Sequence, residues 1–195
     1  MEIKKIKKTK GKIKGLVIKG ILNYIKTAES EKNVEKFQKA LKKEGLKDVF
    51  DKKIKSFEWY PLWWYAILIF KTQEILGWTE DDVFQMGYQA AKRSLMAKIF
   101  LKYFIDIKKA AQGGKQHWKQ IISTGELKIK KTDLKNKKIV FKLENFNIHP
   151  LVCADIKGYM KSMGEFIVGK KNVNIKETKC VFQGDPYHEF EVVWK

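Results

Sequence analysis

Apolar positions recur with a helical period through the first half of the chain and switch to strict alternation in the second. Leu16, Ile18, Ile21, Leu22 and Ile25 fall mostly on one stripe and predict a helix over Leu16–Ala28. Val34, Phe37, Gln38 and Leu41 repeat the pattern over Val34–Glu44, with Gly45 as its stop. Ser56–Pro61 opens a third helix, with Pro61 suited to the first turn, and Leu62–Leu76 is apolar on nearly every face, which predicts a central helix. Thr79-Glu-Asp-Asp82 reads as a capping box. The helix it starts is expected to run to Phe104, carrying Val83, Phe84, Tyr88, Leu95, Ile99, Phe100 and Tyr103. Gln112-Gly113-Gly114 reads as a break. Beyond it Glu126–Lys131 and Lys138–Glu144 alternate as strands, Pro150 begins a helix over Leu151–Val168 stopped by Gly169, and Val173–Phe182 and His188–Trp194 form a closing hairpin. Helices first, then strands with one inserted helix, predict an α+β fold: N-terminal helices packed on a small antiparallel sheet, with a helix before the C-terminal hairpin.

At 195 residues, 44% hydrophobic and 13% aromatic, the chain is long and apolar enough for one sizeable core. We divide it into a basic arm, residues 1–14, and a single domain, residues 15–195. The arm holds seven lysines, with Ile3, Ile6 and Ile13 between them, and reads either as an edge strand or as a frayed, solubilising terminus. Net charge is +19, yet Arg93 is the only arginine among the 41 basic residues. Base readout and bidentate phosphate clamps lean on arginine, so a nucleic-acid partner is allowed but not favoured. The longest apolar run, Pro61–Phe70, is about half of the ~20 residues a membrane span needs. No signal-peptide pattern opens the chain, and two cysteines are too few for a disulfide scaffold, so a cytoplasmic protein is expected.

The last hairpin carries the chemistry. A turn centred on Gly184 sets Cys180 opposite His188 on one face, with Cβ atoms ~5 Å apart, close enough to share a zinc ion. Cys153 lies in the first turn of the Pro150 helix, where the helix dipole favours a thiolate. Glu177 is the nearest carboxylate, but positions 177 and 180 point to opposite faces of a regular strand unless a bulge intervenes. On the residues alone, a metal site and a pair of core cysteines beside a polar edge histidine stand equally.

The tail CADIKGYMKSMGEFIVGKKNVNIKETKCVFQGDPYHEF, Cys153–Phe190, resembles the 4-vinyl-reductase (hydrocarbon-binding) domain family over roughly the last 45 residues. The resemblance implies a 4-vinyl-reductase-like ligand-binding domain that takes a small apolar or aromatic molecule. It also implies a structural zinc held by Cys153, Glu177 and Cys180, with His188 where the family has a final cysteine. The segment Ser56–Lys92 is similar to the helical half of the same superfamily, which also holds haem nitric-oxide sensors and TRAPP trafficking subunits. The haem branch relies on a Tyr-x-Ser-x-Arg clamp. Here the single arginine is followed by Ser94-Leu95, so haem is not expected.

Trp59, Trp63 and Trp64 fall within six residues and cannot all face one core. With Phe84 and Tyr88 they are candidate pocket residues, and His117 and Trp118 are candidate polar handles. The aromatic surplus also predicts a homodimer through the N-terminal helices. No phosphate loop, nucleophile elbow or paired carboxylates with a histidine occur, so an enzyme is not expected. Two other readings compete with ligand sensing. One is a dimeric interaction or scaffold subunit. The other is a nucleic-acid or anionic-lipid binder using residues 1–14 and Lys128–Lys142.

Overall fold

The computed structural model describes residues 2–47, 49–50, 54–94, 107–169 and 172–195. The helical half comprises α1 (Glu2–Ile6), β1 (Lys12–Lys14), α2 (Gly15–Ala28), α3 (Glu31–Lys43), β2 (Trp59–Pro61), α4 (Leu62–Leu76) and α5 (Glu80–Arg93). After α6 (Ile107–Ile121) come β3 (Glu126–Asp133), β4 (Lys138–Glu144), α7 (Pro150–Val168), β5 (Val173–Lys179), a 3₁₀ turn (Val181–Gln183) and β6 (His188–Trp194). The class is α+β. The main sheet is antiparallel in the order β3-β4-β6-β5, and β1 pairs with β2 in a separate two-stranded ribbon.

Local signals set the helix ends. Ser30 Oγ accepts from the Asn33 N–H, and Thr79 and Asp82 close a full capping box. Gly77 and Gly169 stop α4 and α7 in the left-handed region, at φ 71° and 65°. Packing then joins everything. The inner face of the sheet, through Leu127, Leu143 and Phe190, is continuous with Ile67, Leu68 and Val152 of the helices. Helices α5 and α7 cross in backbone contact, because a Cβ on Gly87 would strike the Asp155 carbonyl and one on Gly158 the Phe84 carbonyl. Among the described residues no helix is long and apolar enough to cross a membrane.

Five expectations change. Helix α5 ends at Arg93 because Ser94 takes extended backbone, and the continuation through Leu95, Ile99, Phe100 and Tyr103 lies outside the described residues. Gly113-Gly114 is no break: both sit inside α6, where burial of Gly113, His117 and Ile121 on one face offsets the ~1 kcal/mol that each helical glycine costs. Pro61 ends β2 and caps α4 rather than entering its first turn. Strand β5 stops at Lys179, three residues before Phe182, where the chain tightens into the 3₁₀ turn. The frayed-terminus reading of the arm gives way to the strand reading: Ile6 and Ile13 are buried, and Lys12–Lys14 pairs with Trp59–Pro61.

Candidate metal centre and ligand cavity

Helix α7 carries two kinds of chemistry on two faces. Cys153 and Asp155 are ~200° apart around the helix, so one looks to the hairpin and the other to the helical half.

On the hairpin side, Cys153, Glu177, Cys180 and His188 offer one donor atom each, and all four atoms lie within 4.8 Å of one another. Regular alternation would forbid this, as the sequence indicated. The register explains it. Glu177 pairs with Phe190, but Lys179 pairs with Glu189, so Thr178 is an extra residue in β5. That bulge turns Glu177 and Cys180 to the same face. The shifted register beyond the bulge, with Lys179 opposite Glu189, leads on to Cys180 and His188; the rest of the hairpin runs one residue out from it.

Each donor is held by a second contact. His188 is 1% exposed and stacks on Phe190, with ring centroids 6.2 Å apart. Its Nε2–H donates to the Phe146 carbonyl oxygen at 2.8 Å. That assignment leaves Nδ1 facing the cluster, 2.9 Å from Glu177 Oε1 and 3.6 Å from Cys153 Sγ. The Cys180 N–H donates to Asp185 Oδ2 at 2.9 Å, and the Cys180 carbonyl accepts from Gln183 and Asp185, which fixes the loop around the thiol. Burial, reinforced by the neighbouring Glu177 carboxylate, pushes both thiols above their ordinary range. His149 caps α7, its Nδ1 accepting from the Leu151 N–H at 3.2 Å.

On the other side of α7 lies a cavity of about 570 Å³. Leu16, Val17 and Ile21 of α2 form one wall, and Ile156, Met160 and Met163 of α7 another. Leu127, Ile139 and Val192 of the sheet close the floor, with Trp118 and Ile121 of α6 beside them. Two polar pairs stand on its wall. Tyr65 Oη donates to Asp155 Oδ2 at 2.5 Å, and burial pushes the Asp155 carboxyl up to about 6. His117 Nε2 meets Tyr159 Oη at 2.9 Å with the rings stacked, and burial lowers the imidazole to about 4, so it is neutral at pH 7.

Of the candidate pocket residues, His117 and Trp118 line this cavity, and Trp59, Trp63, Trp64, Phe84 and Tyr88 do not. Trp63 and Trp64 are half-buried against the helical core beside Tyr60. Trp59 lies under Lys14 Nζ, 4.1 Å from the ring centroid. Phe84 and Tyr88 set their backbones against Gly158 of α7, and the Tyr88 hydroxyl donates to Glu165 on the same helix. An all-round apolar helix such as α4 shows no face in its sequence, so the aromatic count misplaced the wall. The missed wall residues Ile156, Tyr159, Met160, Met163 and Ile167 do form a helical stripe in α7, which was the available signal.

No family model matches the chain, and no curated protein matches it in sequence. Solved structures do match. An H-NOX protein from S. oneidensis in the Fe(II)NO ligation state is 13% identical, with TM-score 0.66, over 94% of this chain and 99% of that one. A mutant H-NOX from T. Tengcongensis is 14% identical, with TM-score 0.66, over 94% and 98%. A trafficking protein particle complex subunit 3 from Naegleria fowleri, covalently bound to palmitic acid, is 14% identical, with TM-score 0.53, over 68% and 93%. At these identities the likeness is one of fold, and this chain has the fold that H-NOX domains and that trafficking subunit share.

Proposed function

We propose that this chain is a binding or sensory module for a small apolar molecule, of the 4-vinyl-reductase type within that fold, with a structural zinc clamping the β5–β6 hairpin to α7. The cavity is the observation that carries the binding reading. Its volume is in the range of small-molecule sites, its walls are aliphatic, sulfur and aromatic, and Tyr65 and Tyr159 engage the Asp155 carboxylate and His117 Nε2. Binding rather than catalysis suits those paired groups. Two of the structural neighbours are described with bound molecules, a gas on iron in one and an acyl chain in the other, which is in keeping with ligand holding in this fold.

Zinc suits the cluster's chemistry. The lone pair of His188 Nδ1 and a Glu177 oxygen face each other at 2.9 Å, so a cation or a proton must lie between them. Tetrahedral bonds of ~2.3 Å to sulfur and ~2.0–2.1 Å to nitrogen place those donors ~3.6 Å apart, and Cys153 Sγ to His188 Nδ1 is 3.6 Å. The Phe146 carbonyl is the outer contact that orients a ligating imidazole. Haem suits the cavity less well. Among the described residues His117 is the one histidine on its wall, and its Nε2 is engaged by Tyr159.

Native mass spectrometry of gently purified protein tests both parts. The expected spectrum shows one zinc per chain and a retained apolar molecule. A metal-free chain would leave a proton rather than a cation between His188 and Glu177 and remove the zinc. A chain that retains nothing and ignores an apolar library would remove the ligand reading.

A further inference from the structure

Resting on the cavity reading above, we infer that the ligand is an amphiphile with one negative head group, a long-chain carboxylate by class. Its chain lies in the cavity, and Arg93 and Lys19 hold its head at the rim.

Exposure locates that rim. Four of the lining residues are exposed: Lys19, Asn23, Phe57 and Arg93. Lys19 and Asn23 are one turn apart on α2, and Gln89 and Arg93 are one turn apart on α5, so two i, i+4 pairs contribute to one opening. All the side chains of these two pairs offer N–H donors, and two are permanent cations. Phe57, 66% exposed, adds an apolar edge. Gly20 and Ala90, both small, line the cavity beside these pairs, and a Cβ on Gly20 meets nothing within 4 Å. Among the described residues nothing crowds the opening at Gly20.

Charge decides which end of a ligand sits there. Among the described residues, neither the Arg93 guanidinium nor Lys19 Nζ has a hydrogen-bond or ion-pair partner, whereas Lys71, Lys128 and Lys130 are each tied to glutamates. Arg93 is also the chain's single guanidinium, the group whose planar fork matches a carboxylate at two points. Deep in the cavity the situation reverses. The one charged side chain among the described residues there is Asp155, and Tyr65 already occupies it, so an anion inside would face a carboxylate with no cation to answer it. A cationic head is repelled at the rim, and a neutral head leaves both cations unused. Neither cysteine lines the cavity, so a thioester is not available and the ligand is held without one.

The test uses delipidated full-length protein titrated with palmitate, hexadecanol and hexadecylamine below their aggregation limits, followed by tryptophan emission, since Trp118 lies in the wall. Palmitate is expected to bind about tenfold or more tighter than hexadecanol, with hexadecylamine weakest. Arg93→Gln should cost palmitate about tenfold and change hexadecanol little. Gly20→Leu, which fills the open space of the mouth and favours the α2 helix, should weaken all three while leaving the fold intact. Equal binding of acid and alcohol, or an Arg93→Gln variant that binds palmitate normally, overturns the head-group assignment and leaves the cavity reading standing. If none of the three binds, the cavity reading itself falls.

Discussion

The cavity and the four-donor cluster lie on two faces of one helix and are built in opposite ways. The cavity is a volume. Its walls come from several helices and the sheet, most contributions are aliphatic, and losing any one side chain enlarges a space that is already open. The cluster is a set of points. Its four donors are pinned by few and specific features: a stacked ring and a carbonyl for His188, an aspartate for the Cys180 loop, a bulge for Glu177 and a helix start for Cys153. A volume set by many residues tolerates change, and a point geometry set by few does not. Two regions of one fold can therefore carry very different mutational costs.

The largest effect should come from removing a donor. With zinc bound, Cys180→Ser is expected to release the metal and lower stability by at least about 3 kcal/mol, on the order of 10 °C in Tm. A strong chelator should reproduce that shift in the wild type. A melting curve indifferent to chelator and to the substitution would reduce the cluster to ordinary packing, and the contrast would disappear.

Next in size is the seam that positions both regions. Gly158→Ala forces a Cβ onto the Phe84 carbonyl of α5, where backbone leaves no room to adjust. The expected cost is about 3 kcal/mol, because the two helices must separate. As α5 and α7 both wall the cavity, ligand affinity should fall with it, while zinc content should not. Loss of zinc together with affinity would show that the helix, rather than each face, is the unit.

The smallest effect is electrostatic and confined to the cavity. His117 falls from its ordinary 6.5 to about 4 through burial, so below pH 6.5 the unfolded chain binds a proton that the folded chain refuses. Its contribution to stability is thus present above pH 6.5 and is lost as pH drops toward 4. The stability of wild type relative to His117→Gln should decline by about 2 kcal/mol between pH 7 and pH 5, measured by denaturant unfolding. A pH-independent difference would mean that the imidazole is hydrated in the folded state.

Much of the fold was legible from residue chemistry. The stripe over Leu16–Ile25, the Thr79 cap, and the stops at Gly45 and Gly169 all act within one turn of their own position, so a local reading suffices. The cluster was half legible. Cys180 and His188 announced themselves through a hairpin register, but Glu177 needed the extra residue at Thr178, and alternation alone argues against it. The cavity was barely legible. The all-round apolar helix α4 hid which of its residues look inward, so Tyr65 went unnoticed among more conspicuous tryptophans. Gly113-Gly114 was misread for a related reason: a glycine pair is a poor helix former in isolation, and only burial on α6 outweighs that preference.

Composition and periodicity by themselves determined the class of fold, the order of its elements and the residue types able to hold a metal. Those properties depend on contacts a few residues apart and on the amount of apolar surface available. Tertiary structure alone decided that residues 153, 177, 180 and 188 converge within 4.8 Å, that α5 and α7 meet through two glycines, and that a space of about 570 Å³ remains beside them. Each depends on where separate elements come to rest against one another, and a cavity in particular is space that side chains far apart in the chain leave unfilled.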